Sequence, residues 1–415
     1  MQQVQDVRTG SSRSGYLERV EPLPRATAEP KHRPPTSARK RLSRAEKIFW
    51  AAANRLSPGL LSGVRLGTWI RILRENRVDV DAPYWGRALL VTLSAMANSM
   101  LSWFEDRWFL PHLKRARIQP PLFVLGLPRS GTTHLHNLLS RDSRFAYPNC
   151  FQVLFPHTFL LTELILSRIV DWLIGRERPM DHVRFGACEP QEEEWAMSSL
   201  IGRSSLMVNS FPRRSEYYQR YLTLHALSDR EREEWEAALL HLIRKLSAKY
   251  GKPMVLKSPG HTGRVRTLLK MFPEARFILI RRNPYQIFQS AWHMQRVTQG
   301  DATFQRFPPG DSIDFVLQSH RQLFEAYFTD RPLIPKGRLH ELRFEELVRD
   351  PVGEIRRVYE VLNLPPFDTF APCLQEYLAS VRNYQKNRHA PLAADVKARV
   401  ASEWSQLFDE WGYSR

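Results

Sequence analysis

The residues best equipped for chemistry lie in Gly126-Leu127-Pro128-Arg129-Ser130-Gly131-Thr132-Thr133, which leads into the helical pattern His134-Leu135-His136-Asn137-Leu138-Leu139. Two glycines permit a tight turn, successive backbone N–H groups face inward, and the helix that follows points its positive end at any anion seated there. The Gly126 to Gly131 spacing equals that of the phosphate-loop pattern G-x-x-x-x-G-K-[ST], but Thr132 stands in place of the lysine that reaches the β- and γ-phosphates. Arg129, Ser130, Thr132 and Thr133 supply one cation and three hydroxyls instead. That set suits a smaller anionic group, such as one phosphate attached to a leaving group. The alternative is an ordinary strand-to-helix turn, because Gly, Pro and Ser are common turn residues.

A second segment, Phe277-Ile278-Leu279-Ile280-Arg281-Arg282-Asn283-Pro284, ends an apolar run in two arginines, and Pro284 suits the first turn of a following helix. Ser290 falls nearly two turns along that helix. An arginine at a strand end and a hydroxyl on the next helix can converge on one further phosphate. Two phosphate sites, each at the carboxyl end of a strand, imply a nucleotide with phosphates at two positions. The competing reading of this segment makes Arg281 and Arg282 surface charges and Ser290 a neutral helix residue.

Such loops need strands behind them. Leu122-Phe123-Val124-Leu125 is a continuous apolar run ending in Gly126, as a strand buried on both faces requires. Similar runs occur at Met254-Val255-Leu256 and Phe277-Ile278-Leu279-Ile280, with a weaker one between Leu339 and Phe344. Helical patterns at 265–272, 313–328 and 352–362 alternate with them, so an α/β fold with a parallel sheet covered on both sides is expected. Ahead of it, Ile48, Phe49, Ala52 and Leu56, then Leu89, Leu93, Met96 and Met100, recur at helical spacing. Residues 46–118 are therefore expected to form a helical N-terminal appendage and residues 119–415 the principal domain. Residues 1–45, rich in Arg, Ser, Pro and Thr, are expected to be a disordered basic tail.

With 43% hydrophobic and 25% charged residues, the 415-residue chain can bury a large core, which excludes the collagen-like, disordered and disulfide-scaffold classes. An excess of 61 Lys and Arg over 43 Asp and Glu leaves +18, which favours nucleotides, nucleic acid, acidic lipids or sulfated and phosphorylated substrates. Three scattered cysteines, Cys150, Cys188 and Cys373, fit neither a disulfide framework nor a zinc site, and residues 1–15 contain no apolar signal core. A reducing, cytoplasmic setting is expected. Two uncharged stretches, 88–104 and 145–162, are too short or too interrupted to span a bilayer. Both read as buried or interfacial segments, and peripheral membrane contact by the first stays open.

Pro128-Arg129-Ser130-Gly131-Thr132-Thr133, Lys257-Ser258-Pro259 with His261, and Arg282 with Ser290 together resemble the sulfotransferases that use 3′-phosphoadenosine-5′-phosphosulfate (PAPS). The set is most similar to the bacterial-type branch, as is Glu345-Glu346-Leu347-Val348-Arg349-Asp350-Pro351. The resemblance extends from Pro120 to the region of Tyr413. It implies a three-layer, P-loop-like fold around a central parallel sheet, and an enzyme that moves a sulfuryl group from PAPS to a hydroxyl or amine without a metal. The acceptor is expected to be a small molecule, lipid or carbohydrate, with no specific nucleic acid as partner.

By the same resemblance, Arg129, Ser130, Gly131, Thr132 and Thr133 hold the 5′-phosphosulfate, and Arg282 with Ser290 holds the 3′-phosphate. Lys257 contacts the 5′-phosphate or the bridging oxygen of the leaving group. His134 stands where many cytosolic members place a tryptophan against adenine, and Phe344 near a position often occupied by tyrosine; both keep a flat ring for stacking. For the acceptor's proton, His261 is the first candidate, because an imidazole can be neutral near pH 7. Pro259 occupies the place of the histidine in the Lys-Thr-His pattern of the cytosolic members. The second candidate is Glu192, in the acidic cluster Glu189-Pro190-Gln191-Glu192-Glu193-Glu194-Trp195. Alternatives for that cluster are pairing with Arg184 and Arg203, or a solvated helix start favoured by the helix dipole. The aromatic segment 151–173 reads as core packing, with an acceptor pocket as the alternative. Two other functions compete: a P-loop kinase, disfavoured by Thr132, and a non-catalytic basic module that binds polyanions through residues 1–45 and weakens steeply with salt.

Overall fold

Each apolar run forms a strand. The computed structural model describes residues 56–173, 186–298, 300, 302–308, 312–382 and 390–415. The expected tail, the positions Ile48, Phe49 and Ala52, and Arg184 lie outside the described residues. Strands β1 (Leu122–Leu125), β2 (Val255–Lys257), β3 (Arg276–Arg281) and β4 (Leu339–Arg343) form one sheet in the order β2-β1-β3-β4. Every pairing is parallel: Phe123 lies opposite Leu256 on one side and Phe277 on the other, and Leu279 lies opposite Glu341.

Alternation along the strands sorts side chains to two faces. Leu122, Val124, Ile278 and Ile280 pack with Leu135 and Leu138 of the helix Thr132–Leu139 and with Ile355 and Val358 of the helix Pro351–Val361. Phe123, Leu125, Phe277 and Leu279 face a larger cluster that includes Trp235, Leu239 and Leu242 of the helix Asp229–Tyr250. Helices therefore cover both faces in three layers. Leu61, Val64, Trp69, Ile72, Val91 and Ala95 join the larger cluster. The helices Leu66–Glu75 and Trp85–Arg115 thus pack into the core of the sheet itself.

Strand order decides where a ligand fits. The chain runs from β1 to β2 on one side and from β3 to β4 on the other, so the loops leaving the neighbours β1 and β3 diverge. Open parallel sheets bind ligands in the crevice such a reversal leaves at the carboxyl ends of the strands. Both segments singled out for phosphate binding flank that crevice. Among the described residues no helix is long and apolar enough to cross a membrane.

Candidate active site

After β1 the chain turns through Gly126 at φ +152°, Arg129 at +73° and Gly131 at +108° before the helix begins at Thr132. A side chain at Gly126 would strike Ser130, Thr132 and Ile280, and one at Gly131 would strike the Phe344 ring. Glycine is needed at both. The left-handed conformation costs Arg129 on the order of 1–3 kcal/mol and must be held by its surroundings. Arg282 Nη1 donates to the Arg129 carbonyl at 3.0 Å, and Arg129 Nε donates to Ser290 Oγ at 3.0 Å. The two segments thus meet across the β1/β3 crevice, the cation from one on the hydroxyl of the other. Ser130 is fully buried and its hydroxyl has no hydrogen-bond partner among the described residues. Such an orphan is costly unless a ligand completes it, so the cradle fits an anionic group.

Arg281 turns to Glu341, 3.7 Å away, because successive strand residues point to opposite sides. The Arg282 guanidinium lies over the Phe344 ring at 4.5 Å, and the same ring packs against Gly131. Phe344 therefore forms a floor beneath the loop and its arginine. His134, third in the helix after the loop, is half-buried. Beneath the loop, His320 Nε2 lies 3.3 Å from the Pro128 carbonyl, and burial pushes the imidazole down to a pKa of about 4.

The β2 side is built differently. Lys257 ends β2, with Nζ 2.5 Å from Glu192 Oε1 and 3.5 Å from Thr133 Oγ1. The lysine side chain is 1% exposed and the glutamate 18%, so it is the carboxylate that reaches open space. Glu193 is fully buried, accepts the Lys257 backbone N–H at 3.2 Å and pairs with His261. Glu194 lies in the core with Arg264 Nη1 at 2.5 Å and Ser204 Oγ donating at 2.7 Å. Burial pushes the Glu194 carboxyl up, but Arg264 and the hydrogen bonds from Arg264 and Ser204 outweigh it and hold the group below its ordinary value.

The expectation of a solvated helix start therefore does not hold for Glu193 and Glu194. Arg203 pairs with Glu75 and Glu234 instead of the acidic cluster. His261 sits in the turn Pro259–Gly263 with no exposed surface, edge-on to Phe123 at 5.3 Å. Thr262 Oγ1 accepts the Gly126 N–H at 2.8 Å and donates to the Gly126 carbonyl at 3.0 Å, tying the β2 turn to the phosphate loop. Spacing in the sequence does not point to Thr262 or Arg264; the run of three glutamates in a basic chain is the signal for Glu193. In the segment 151–173, Phe151, Val153, Leu154 and Phe159 are core residues, whereas Leu164, Ile165, Ile169 and Trp172 are exposed. No group of His, Cys, Asp and Glu that could hold a metal occurs among the described residues.

Residues 120–369, which contain both sides of this crevice, match the model of the sulfotransferase family. The chain belongs to the sulfotransferase family. A curated relative, the omega-hydroxy-beta-dihydromenaquinone-9 sulfotransferase Stf3 of Mycobacterium bovis, is 34% identical over 379 residues, covering 90% of this chain and 94% of the relative. Its counterpart in Mycobacterium tuberculosis matches to the same extent. Among solved structures, sulfotransferase STF9 from Mycobacterium avium superposes with a TM-score of 0.64 at 22% identity, over 91% of this chain and 99% of that one. Sulfotransferase STF1 from Mycobacterium tuberculosis gives 0.61 at 17%, over 87% and 98%. These two show the fold. As a sulfotransferase, the protein is an enzyme that transfers a sulfuryl group, which sets aside the kinase and the non-catalytic basic module.

Proposed function

We propose that this sulfotransferase uses PAPS as donor and a hydroxyl of a lipid-like, menaquinone-class molecule as acceptor, with Glu192 as the base and Lys257 opposite the charge that develops on the leaving group. The observation that carries the donor assignment is the meeting of Arg129, Arg282 and Ser290 beside the orphaned Ser130 hydroxyl, in a loop lacking the triphosphatase lysine. The acceptor class is supported by the relative at 34% identity, named for a hydroxylated dihydromenaquinone. Few cysteines support a cytoplasmic setting.

When bound, the donor supplies a sulfuryl group activated by its bond to phosphate. Arg129, Ser130, Gly131, Thr132 and Thr133 would hold the phosphosulfate, Arg282 and Ser290 the 3′-phosphate, and His134 would border the adenine. In-line transfer also needs the acceptor's proton removed and the leaving phosphate stabilised. Glu192 has the more accessible carboxylate and takes the proton; the Lys257 ammonium, beside Thr133, meets the phosphate charge. His261 acts as a positioning residue through Glu193, which holds the Lys257 backbone. Thermal unfolding tests the donor site: adenosine 3′,5′-bisphosphate should stabilise far more than ATP with magnesium at equal concentration, since a ligand specific for the native state raises its stability. Equal stabilisation by ATP overturns the donor assignment. Labelled transfer to a sugar, but not to a hydroxylated menaquinol, overturns the acceptor.

A further inference from the structure

The helix Trp85–Arg115 is apolar on its outward side and mixed on its inward side, where Val91, Ala95, Phe109 and Leu113 are buried beside polar residues. Its inward side buries Arg87, Asn98, Ser102 and Glu105. Arg87 donates to the Thr303 carbonyl, Asn98 donates to the Ser62 carbonyl at 2.8 Å, and Glu105 pairs with the buried Lys245. Outward stand Leu89, Leu93, Met96, Met100, Trp103 and Trp108, each more than half exposed. Steps of three and four residues align the first five, and exposed Phe104 carries the stripe on by four residues to Trp108, over about 30 Å. The N-terminal part of the helix Phe159–Leu173 meets this helix where the Leu161 N–H donates to Glu105 at 2.9 Å, and further along it exposes Leu164, Ile165, Ile169 and Trp172. Monomeric proteins rarely leave so much contiguous apolar surface in water.

What covers the stripe is indicated by charge. Its outward positions from Trp85 to Phe104 carry none, and beyond them Arg107, Lys114, Arg115 and Arg117 are exposed, with no ion pair among the described residues. The same end borders a cavity of about 760 Å³ in which Arg65, Arg71, Lys114 and Arg244 outnumber Asp106 and Glu234. A second copy carries the same net +18 over the whole chain, which opposes self-association. An anionic lipid surface answers both features.

We propose that this face docks on an anionic bilayer, with the stripe lying in the interface, Trp103 and Trp108 at headgroup level, and the cations at its C-terminal end on lipid phosphates. The inference goes beyond the donor and acceptor readings and stands apart from them, because a soluble acceptor would leave it intact. The test floats the full chain with vesicles of equal parts phosphatidylglycerol and phosphatidylcholine, against phosphatidylcholine alone. Binding is expected with the anionic vesicles, and L93D/M96D/M100D is expected to weaken it roughly tenfold or more, since burial of each side chain contributes to partition. Adenosine 3′,5′-bisphosphate affinity should stay unchanged and report folding. Should the variant fail to fold, brominated acyl chains are expected to quench tryptophan emission of the native protein. Absence of flotation, absence of that quenching, or a folded variant that floats like the native protein because residues 1–45 do the binding, each overturns the proposal. So does a solution dimer that the substitutions dissociate while vesicles stay unbound.

Discussion

The β1/β3 side of the crevice and its β2 side are tied together by different contacts. On the first, Arg129 and Arg282 shape the loop, one reaching the Ser290 hydroxyl and the other the Arg129 carbonyl. On the second, Lys257, His261 and Arg264 each face a different glutamate of one run. Paired charges hold groups at fixed positions, and removing either member of such a pair leaves the other buried and uncompensated. On the proposed reading, nucleotide affinity is expected to depend most on the β1/β3 side, and turnover on the β2 side.

The largest effect should come from breaking the β2 side. Lys257→Ala is expected to lower turnover about 10³-fold, because a cation aimed at developing charge acts mainly in the transition state, and Glu192→Gln about 10²-fold. Nucleotide affinity should change much less in both. Single-turnover transfer from labelled donor across pH measures this. If His261→Ala loses a pH-dependent limb while Glu192→Gln keeps full turnover, the base assignment reverses.

A smaller effect belongs to the β1/β3 side. Arg282→Ala should weaken adenosine 3′,5′-bisphosphate by about tenfold or more and AMP hardly at all, since the charge-assisted contact exists only with the 3′-phosphate present. Calorimetric titration of both ligands reads the difference, and equal weakening would make the arginine structural.

A further effect, on stability against pH, reaches beyond the crevice. His320 under the phosphate loop and His241 on the helix Asp229–Tyr250 are each pushed down to about 4 by burial, from an ordinary 6.5. Below 6.5 the unfolded chain therefore binds more protons than the folded one, so stability is full above that pH and declines toward 4. Glu194, held below its ordinary carboxylate value, contributes stability that is lost as pH falls through its folded pKa. Urea unfolding at pH 7.5 and pH 5 should show a loss on the order of 4 kcal/mol. A His320→Asn variant should flatten part of the decline; an unchanged slope would remove His320 from the account.

Much of the site is legible along the chain because its signals are local. Continuous apolar runs mark strands buried on both faces, and the Gly126 to Gly131 spacing marks a turn that only glycine fits at both ends. Lys257 and Arg282 fall at strand ends for the same reason. The burial of His261 was not legible, because a histidine four residues past a strand looks the same whether it faces a crevice or the core. Nor was the outward direction of Leu89, Leu93, Met96 and Met100, since periodicity identifies a helix face without naming its neighbour.

The sequence by itself determined the parallel α/β architecture, the lysine-free loop and the places of Arg282 just past a strand and Ser290 on the next helix, because each depends on residues near one another in the chain. Tertiary structure alone decided that Arg129 meets Ser290 across the crevice, and that three successive glutamates serve three different cations. Consecutive residues at a helix start point about 100° apart. Their fates are therefore set by what packs on each side, the end of β2 for Glu192, the turn behind it for Glu193, and the core arginine for Glu194.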